Sequence, residues 1–475
     1  MSRLIAALLV VGALTLPASA RDHAGELRAG FAAVEITPEL DGPRPIYIAG
    51  YGMNRKAVGV HDPLYARAVV LAHRQETIAI VSVDLVGLQY PTVKAIRAKL
   101  PGFRYVLVSS THNHEGPDVI GIWGRGPLHR GVNDAYLEQV VDRVAKCVEQ
   151  ASAQLAPVTA AYGTAEDESL LADTRLPVVK DGVLRAVRLN QAETNTAAGL
   201  IVQWNCHPES LGPRNKLLTA DFPWATVRAL QRRYRCPIVY LSGSVGGLMT
   251  HPAGRVFTSD GRELPDGTFD YAERYGEEVA ALAGKAIDAA QPLALAPFAV
   301  CAQPIAVPVN NALYRAARGL GVIQREGLVW TGDFQALGEP MTPETADRDS
   351  AVESEVAYLR LGELHVACIP GELYPELVYG KYQEPVERDS DFPAAPLEPT
   401  IAQLMPGPKW LLVGLANDEL GYIIPRRQWD KESPHAYGKD GGQYGEVNSC
   451  GPDTAPIVMQ ALQLRVAEAN RPPAP

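Results

Sequence analysis

Val106-Leu107-Val108-Ser109-Ser110-Thr111-His112-Asn113-His114-Glu115-Gly116-Pro117-Asp118 joins an apolar, β-branched run to two histidines and a Gly-Pro stop. Such a run reads as a buried strand whose C-terminal end delivers imidazoles to the rim of a sheet. Neutral imidazole is the commonest protein ligand for zinc. Side chains alternate along a strand, so His112 and His114 share one face if the strand continues through them. The expectation is a metal-dependent hydrolase built around a sheet.

Further β-rich runs surround this one: 31–37, 66–72, 77–83, 105–110, 199–204, 238–242, 298–307 and 355–361. Between them, 134–153, 223–233, 271–290 and 454–469 carry apolar residues at helical spacing. The alternation predicts an α/β fold with mixed sheets flanked by helices, over a length that allows one large domain or two or three smaller ones. Two Pro-rich, acidic stretches, 338–350 and 384–399, read as irregular surface connections.

The 475 residues are 47% hydrophobic and 21% charged, which is ordinary globular composition. A net charge of -10 without a basic block argues against nucleic acid as a partner. Arg3, an apolar run to Leu16 and an Ala18-Ser19-Ala20 site read as a signal peptide over 1–20. The mature protein is therefore expected to be secreted or periplasmic. It has no later spanning segment, which leaves peripheral membrane contact open. None of the 6 cysteines forms a Cys-Xaa-Xaa-Cys pair, so a thiolate zinc knuckle is not expected.

A second strand ends in a histidine at Gln203-Trp204-Asn205-Cys206-His207-Pro208-Glu209. Glu209 reads more readily as a loop carboxylate. A third strand ends at Pro370-Gly371-Glu372, where Glu372 falls at an expected helix start and suits a mixed nitrogen and oxygen metal site. A fourth segment, Gly414 to Pro425, contains Asn417 and Tyr422 and precedes Gln443-Tyr444-Gly445-Glu446. The His-Xaa-His is not followed by the Xaa-Asp-His of metallo-β-lactamases. No Gly-Xaa-Ser-Xaa-Gly nucleophile elbow is present, and Gly243-Ser244-Val245-Gly246-Gly247 lacks the Gly-Lys-Ser/Thr end of a phosphate loop.

Together these segments resemble the catalytic domain of the neutral ceramidases. Gly50-Tyr51-Gly52 and Gly59-Val60-His61 through Arg67-Ala68 resemble early segments of that family. Thr111-His112-Asn113-His114-Glu115-Gly116-Pro117 resembles its Thr-His-Thr-His-Ser-Gly-Pro motif, and Pro370-Gly371-Glu372 its Pro-Gly-Glu. Asn417 with Tyr422, then Tyr444-Gly445-Glu446, resemble its Asn…Tyr and Tyr-Glu-Gly segments.

The resemblance implies Zn2+ held by His112, His207, Glu372 and Tyr422, with His114 beside the attacking water. It implies an active-site arginine at Arg175 and an oxyanion-binding tyrosine at Tyr444. The implied reaction is hydrolysis of an N-acyl amide, as in ceramide, to an amine and a fatty acid. The sequence also departs from the family. Its Gly-Asp-Val-Ser-Pro-Asn becomes Gly246-Gly247-Leu248-Met249-Thr250-His251, which removes a serine. Its His-Gly-Thr-Ser becomes His207-Pro208-Glu209-Ser210. The expectation from the resemblance is a single large catalytic domain over 21–475, lacking the family's C-terminal β-sandwich domain. Two alternatives stay open: a zinc amidase or esterase acting on another N-acyl or ester substrate, and a non-catalytic exported zinc-binding protein.

Overall fold

A computed structural model describes residues 26–247, 249–258, 260–380 and 387–471. The signal-peptide reading over 1–20, Leu248 of the glycine segment and 384–386 of the second connection lie outside the described residues. Among the described residues two large sheets form, one of 9 strands and one of 5. In spatial order the first runs Ile238–Ser242, Ala197–Trp204, Val183–Gln191, Ala156–Glu166, Arg28–Glu35, Tyr65–His73, Glu76–Val83 and Tyr105–Ser110. Gln291–Leu293 pairs alongside Ala156–Glu166. The second sheet is Phe298–Pro308, Ser350–Leu361, Leu364–Cys368 and Trp410–Val413, with Leu328–Val329 against Ser350–Leu361. The expected mixed α/β architecture is what forms.

The outermost strands of the first sheet, Tyr105–Ser110 and Ile238–Ser242, each run parallel to their neighbour. Both are buried along their whole length. Parallel strands covered on both faces need continuous apolar sequence rather than alternation, which is why these runs are so plain in the chain. The free edge of Tyr105–Ser110 is closed by the turn after Trp410–Val413. Asn417 donates its backbone N–H to the Val108 carbonyl (2.7 Å), and its Oδ1 accepts from the Val108 N–H (3.0 Å). Ser109 also pairs with Ala416. The two sheets are thereby joined at the ends of their strands.

Phe31, Val69, Leu107, Ile201 and Leu241 of the first sheet share a core with Leu359, Val366 and Leu411 of the second. Helices cover the outer faces. Asp134–Ser152 packs on Arg28–Glu35 and Tyr65–His73, and Phe269–Asp288 packs on Ala156–Glu166. Thr454–Ala469 packs on Ser350–Leu361. Side chains cap two of these helices: Asn133 accepts from Tyr136 N and Thr268 from Tyr271 N, satisfying donors that a helix start leaves open.

This framework brings several strand ends together. The Ser242 hydroxyl donates to the Thr111 carbonyl (2.7 Å), and Gly414 N–H donates to the Ser242 carbonyl (2.9 Å). A Cβ on Gly414 would stand 2.2 Å from the Gly243 carbonyl oxygen, so only glycine permits this crossing. The loops that leave these ends carry the candidate functional residues.

Candidate metal centre

The strand does not continue through His112 and His114. It stops at Ser110, and His112 takes a left-handed backbone conformation, φ 65°. The two imidazoles still meet, with Nε2 atoms 3.2 Å apart, because a turn and not strand alternation aims them. Left-handed backbone is uncommon for residues other than glycine, and here it recurs nearby at Leu415 (φ 48°) and Asn417 (φ 65°). Held strain of this kind clusters at functional sites.

Glu372 also departs from expectation. It does not begin a helix but lies in a short strand, Glu372–Leu373, parallel to Tyr422–Ile423. Its N–H donates to the Gly421 carbonyl (3.0 Å), and the helix begins only at Glu376. This pairing sets Glu372 and Tyr422 in direct register.

His112 Nδ1 donates to the Val86 carbonyl (2.7 Å), and His207 Nδ1 donates to the Met249 carbonyl (2.9 Å). Each bond fixes its ring so that the Nε2 lone pair faces inward. Glu372 Oε2 lies 3.0 Å from His207 Nε2 and 3.3 Å from His112 Nε2. The candidate ligand atoms of His112, His114 and His207 all fall within 4.8 Å of one another. A carboxylate oxygen this close to two ring nitrogens needs a positive charge between them, carried by a proton or by a metal ion. Two neutral imidazoles and a carboxylate, backed by carbonyls, are a donor set that fits zinc.

The electrostatics carry the same demand. Burial pushes the Glu372 carboxyl upward, but His112 and His207 overcome it and hold the group below the usual carboxylate range. Burial pulls His207 down, and Glu372 outweighs it, leaving the ring raised. His114 has no such partner. Burial, and then His112 and His207, hold it well below the ordinary imidazole value, so its ring is neutral. Among the described residues the His114 Nδ1 makes no hydrogen bond, and the Glu209 carboxylate stands 3.8 Å away. The loop reading of Glu209 therefore omits its place beside the histidine cluster.

Tyr422 lies with its ring centroid 6.4 Å from that of His207 and 5.9 Å from that of Tyr444. Burial and then Glu372 raise the hydroxyl pKa of Tyr422 well above that of free tyrosine. Tyr444 is 52% exposed and lines the same cavity as His112 and His114, with Asn448 Nδ2 donating to its hydroxyl. Arg175 lies behind this group. Its guanidinium donates to both Glu446 oxygens (2.8 and 3.0 Å) and to the carbonyls of Tyr444 (2.7 Å) and Gln428 (2.8 Å). At 2% exposure it is not part of the cavity lining.

The cavity measures about 890 Å³. Its lining includes His112, His114, Glu419 and Tyr422 and is otherwise largely apolar, with Ile120, Trp123, Leu313 and Val322. The short helix Ala312–Gly319 contributes Leu313 and Ala317, with Leu320 just beyond it. Leu313 is 70% exposed and Leu320 is 60% exposed, so the rim is apolar as well.

No family model matches the chain. A neutral ceramidase of Pseudomonas aeruginosa is 28% identical over 235 residues, which cover 45% of this chain and 34% of that protein. The chain thus spans about a third of the length of the curated relative it matches. The crystal structure of neutral ceramidase from P. aeruginosa superposes with a TM-score of 0.69 at 17% identity, over 95% of this chain and 76% of that one. The chain shares the neutral-ceramidase fold. A ceramidase complexed with C2 gives a TM-score of 0.67 at 16% identity over the same fractions. Both comparisons are to neutral ceramidases, in agreement with the family resemblance read from the sequence.

Glu419 was not among the residues singled out from the sequence. It sits inside the Gly414–Pro425 segment, where a loop carboxylate is unremarked, and only the folded chain shows it buried on the cavity wall.

Proposed function

We propose that this protein is a zinc-dependent amide hydrolase acting on an N-acyl lipid of the ceramide class. The observation that carries the proposal is the convergence of His112, His114, His207 and Glu372, two of which, His112 and His114, line a largely apolar cavity. Such cavities, with few polar groups at one end, are the usual form of a small-molecule site. The acyl chain would lie along the apolar lining, leaving the amide at the histidines.

In this reading His112, His207, Glu372 and Tyr422 hold the zinc. When bound, zinc supplies Lewis-acid polarisation of the carbonyl and lowers the pKa of water. His114, neutral and without a partner on Nδ1, accepts the proton of the attacking water and returns it to the departing amine. The Tyr444 hydroxyl donates to the carbonyl oxygen as negative charge develops there. Arg175 acts through Tyr444, anchoring its backbone carbonyl while Glu446 neutralises the guanidinium. An N-acyl compound with a polar amine half is the second reading, supported by the Glu209 carboxylate beside His114.

The test is turnover of ceramides, N-acyl amino acids and simple esters by the zinc-loaded protein, with products identified by mass spectrometry. Release of fatty acid and sphingoid base from ceramide is expected. Bound zinc without hydrolysis of any member of the panel would overturn the proposal in favour of a non-catalytic zinc protein.

A further inference from the structure

Glu419 is a carboxyl group for which the protein supplies only half a set of partners. Its Oε1 accepts the Gly421 N–H (2.8 Å), whereas Oε2 is buried with no hydrogen-bond partner among the described residues. The residue is 9% exposed and lines the cavity that holds His112 and His114. A buried polar atom left unpaired is destabilising, and native proteins seldom keep one without a use.

Its position is tightly built. Glu419 N–H donates to Asp418 Oδ1 (2.9 Å), and the same oxygen accepts from Arg325 Nη1 (2.9 Å) and from Tyr90 N–H (2.9 Å). The Arg325–Asp418 pair is almost wholly buried, so the loop is fixed at its base. On the other side the chain makes room. A Cβ on Gly87 would stand 2.7 Å from Glu419 Cβ and Cγ and 3.1 Å from Oε2. Gly87 follows Val86, whose carbonyl orients His112, so the carboxyl is held against the segment that fixes a candidate ligand.

We propose that Glu419 is a specificity-determining residue that hydrogen-bonds a donor group on the substrate next to the scissile amide. The inference rests on the cavity being the substrate site of the proposed hydrolase. The ligand chemistry is a hydrogen-bond donor on an otherwise apolar molecule. A hydroxyl on the amine half and the amide N–H both answer that description, and paired substrates separate them. A site built around a substrate hydroxyl rejects the analogue that lacks it, because the protein group is then left unpaired.

The experiment uses the full zinc-loaded protein with Glu419→Gln and Glu419→Leu. Turnover is measured on an N-acyl amino alcohol and its deoxy counterpart. Equilibrium binding of the matching long-chain amino alcohol and simple amine is measured by calorimetry. The wild-type protein should favour the hydroxylated member of each pair by about tenfold, the scale of one well-made hydrogen bond. Glu419→Gln should keep most of that preference, and Glu419→Leu should abolish it while keeping its zinc. If Glu419→Leu instead loses turnover equally on both substrates with zinc retained, the amide N–H is the partner. Undiminished preference in Glu419→Leu would overturn the inference, as would loss of zinc. If hydrolysis is absent but binding still discriminates through Glu419, the proposed function fails, while the hydrogen bond from Glu419 to the hydroxyl-bearing amine half stands.

Discussion

Replacing Arg175 with methionine separates a residue that holds the site together from one that takes part in the reaction. The guanidinium makes four hydrogen bonds, two to Glu446 and one each to the carbonyls of Tyr444 and Gln428. The side chains of the ion pair are only 1% and 3% exposed. Removing one partner of such a pair strands the other charge in a dry environment, which typically costs about 3–5 kcal/mol. Arg175→Met should therefore unfold at clearly lower urea concentration, followed by far-UV circular dichroism. The double variant Arg175→Met/Glu446→Leu should recover part of the loss, since no charge is then left unpaired. Turnover should fall along with the order of the Tyr444 loop. If Arg175→Met unfolds at the wild-type urea concentration while turnover still collapses, the guanidinium acts on the substrate and the positioning role is wrong.

Other outcomes follow from particular residues. Tyr444→Phe should lower kcat by about 10²–10³-fold with zinc content unchanged, if its hydroxyl serves the developing oxyanion; unchanged kcat would remove it from the reaction. Gly414→Ala should destabilise the protein by about 1–3 kcal/mol, since its methyl meets the Gly243 carbonyl where the sheets cross; calorimetry checks this, and an unaltered melting temperature would contradict the crossing. Burial raises the Glu376 carboxyl from its ordinary value to about 8. The folded state then keeps a proton that the unfolded chain has released, so this group lowers stability as pH rises from its ordinary value toward 8. Glu376→Gln should flatten the stability profile across that window, and identical profiles would refute the assignment. Leu313→Asp with Leu320→Asp should slow turnover of long-acyl substrates far more than short-acyl ones, and an equal effect on both would place the acyl chain elsewhere.

The parts of the fold that read plainly in the sequence are those where one physical demand dominates. Tyr105–Ser110 and Ile238–Ser242 are buried on both faces, so their apolar runs end where the strands end. The helix over Thr454–Ala469 is equally plain. Ala156–Glu166 and Val183–Gln191 were not legible. The first is built largely of small residues, and the second carries Arg185, Arg188 and Asn190, so neither shows a strong period; cross-strand pairing holds them in the sheet. The histidines could be found because strand-to-histidine endings are rare, although the turn that aims His112 and His114 could not. Glu372 looked like a helix start because Pro-Gly precedes it, and only pairing with Tyr422 reveals a strand. Glu419 carries no local signal, since the close packing against Gly87 that helps enclose it is distant in sequence.

The most direct measurement is the metal content of purified wild-type, His112→Ala and His114→Ala proteins by mass spectrometry, with hydrolysis assayed on the same samples. One equivalent of zinc is expected in the wild type and in His114→Ala, with activity lost in the latter, while His112→Ala should lose both. A His112→Ala protein that keeps one equivalent of zinc and turns over normally would contradict the metal centre.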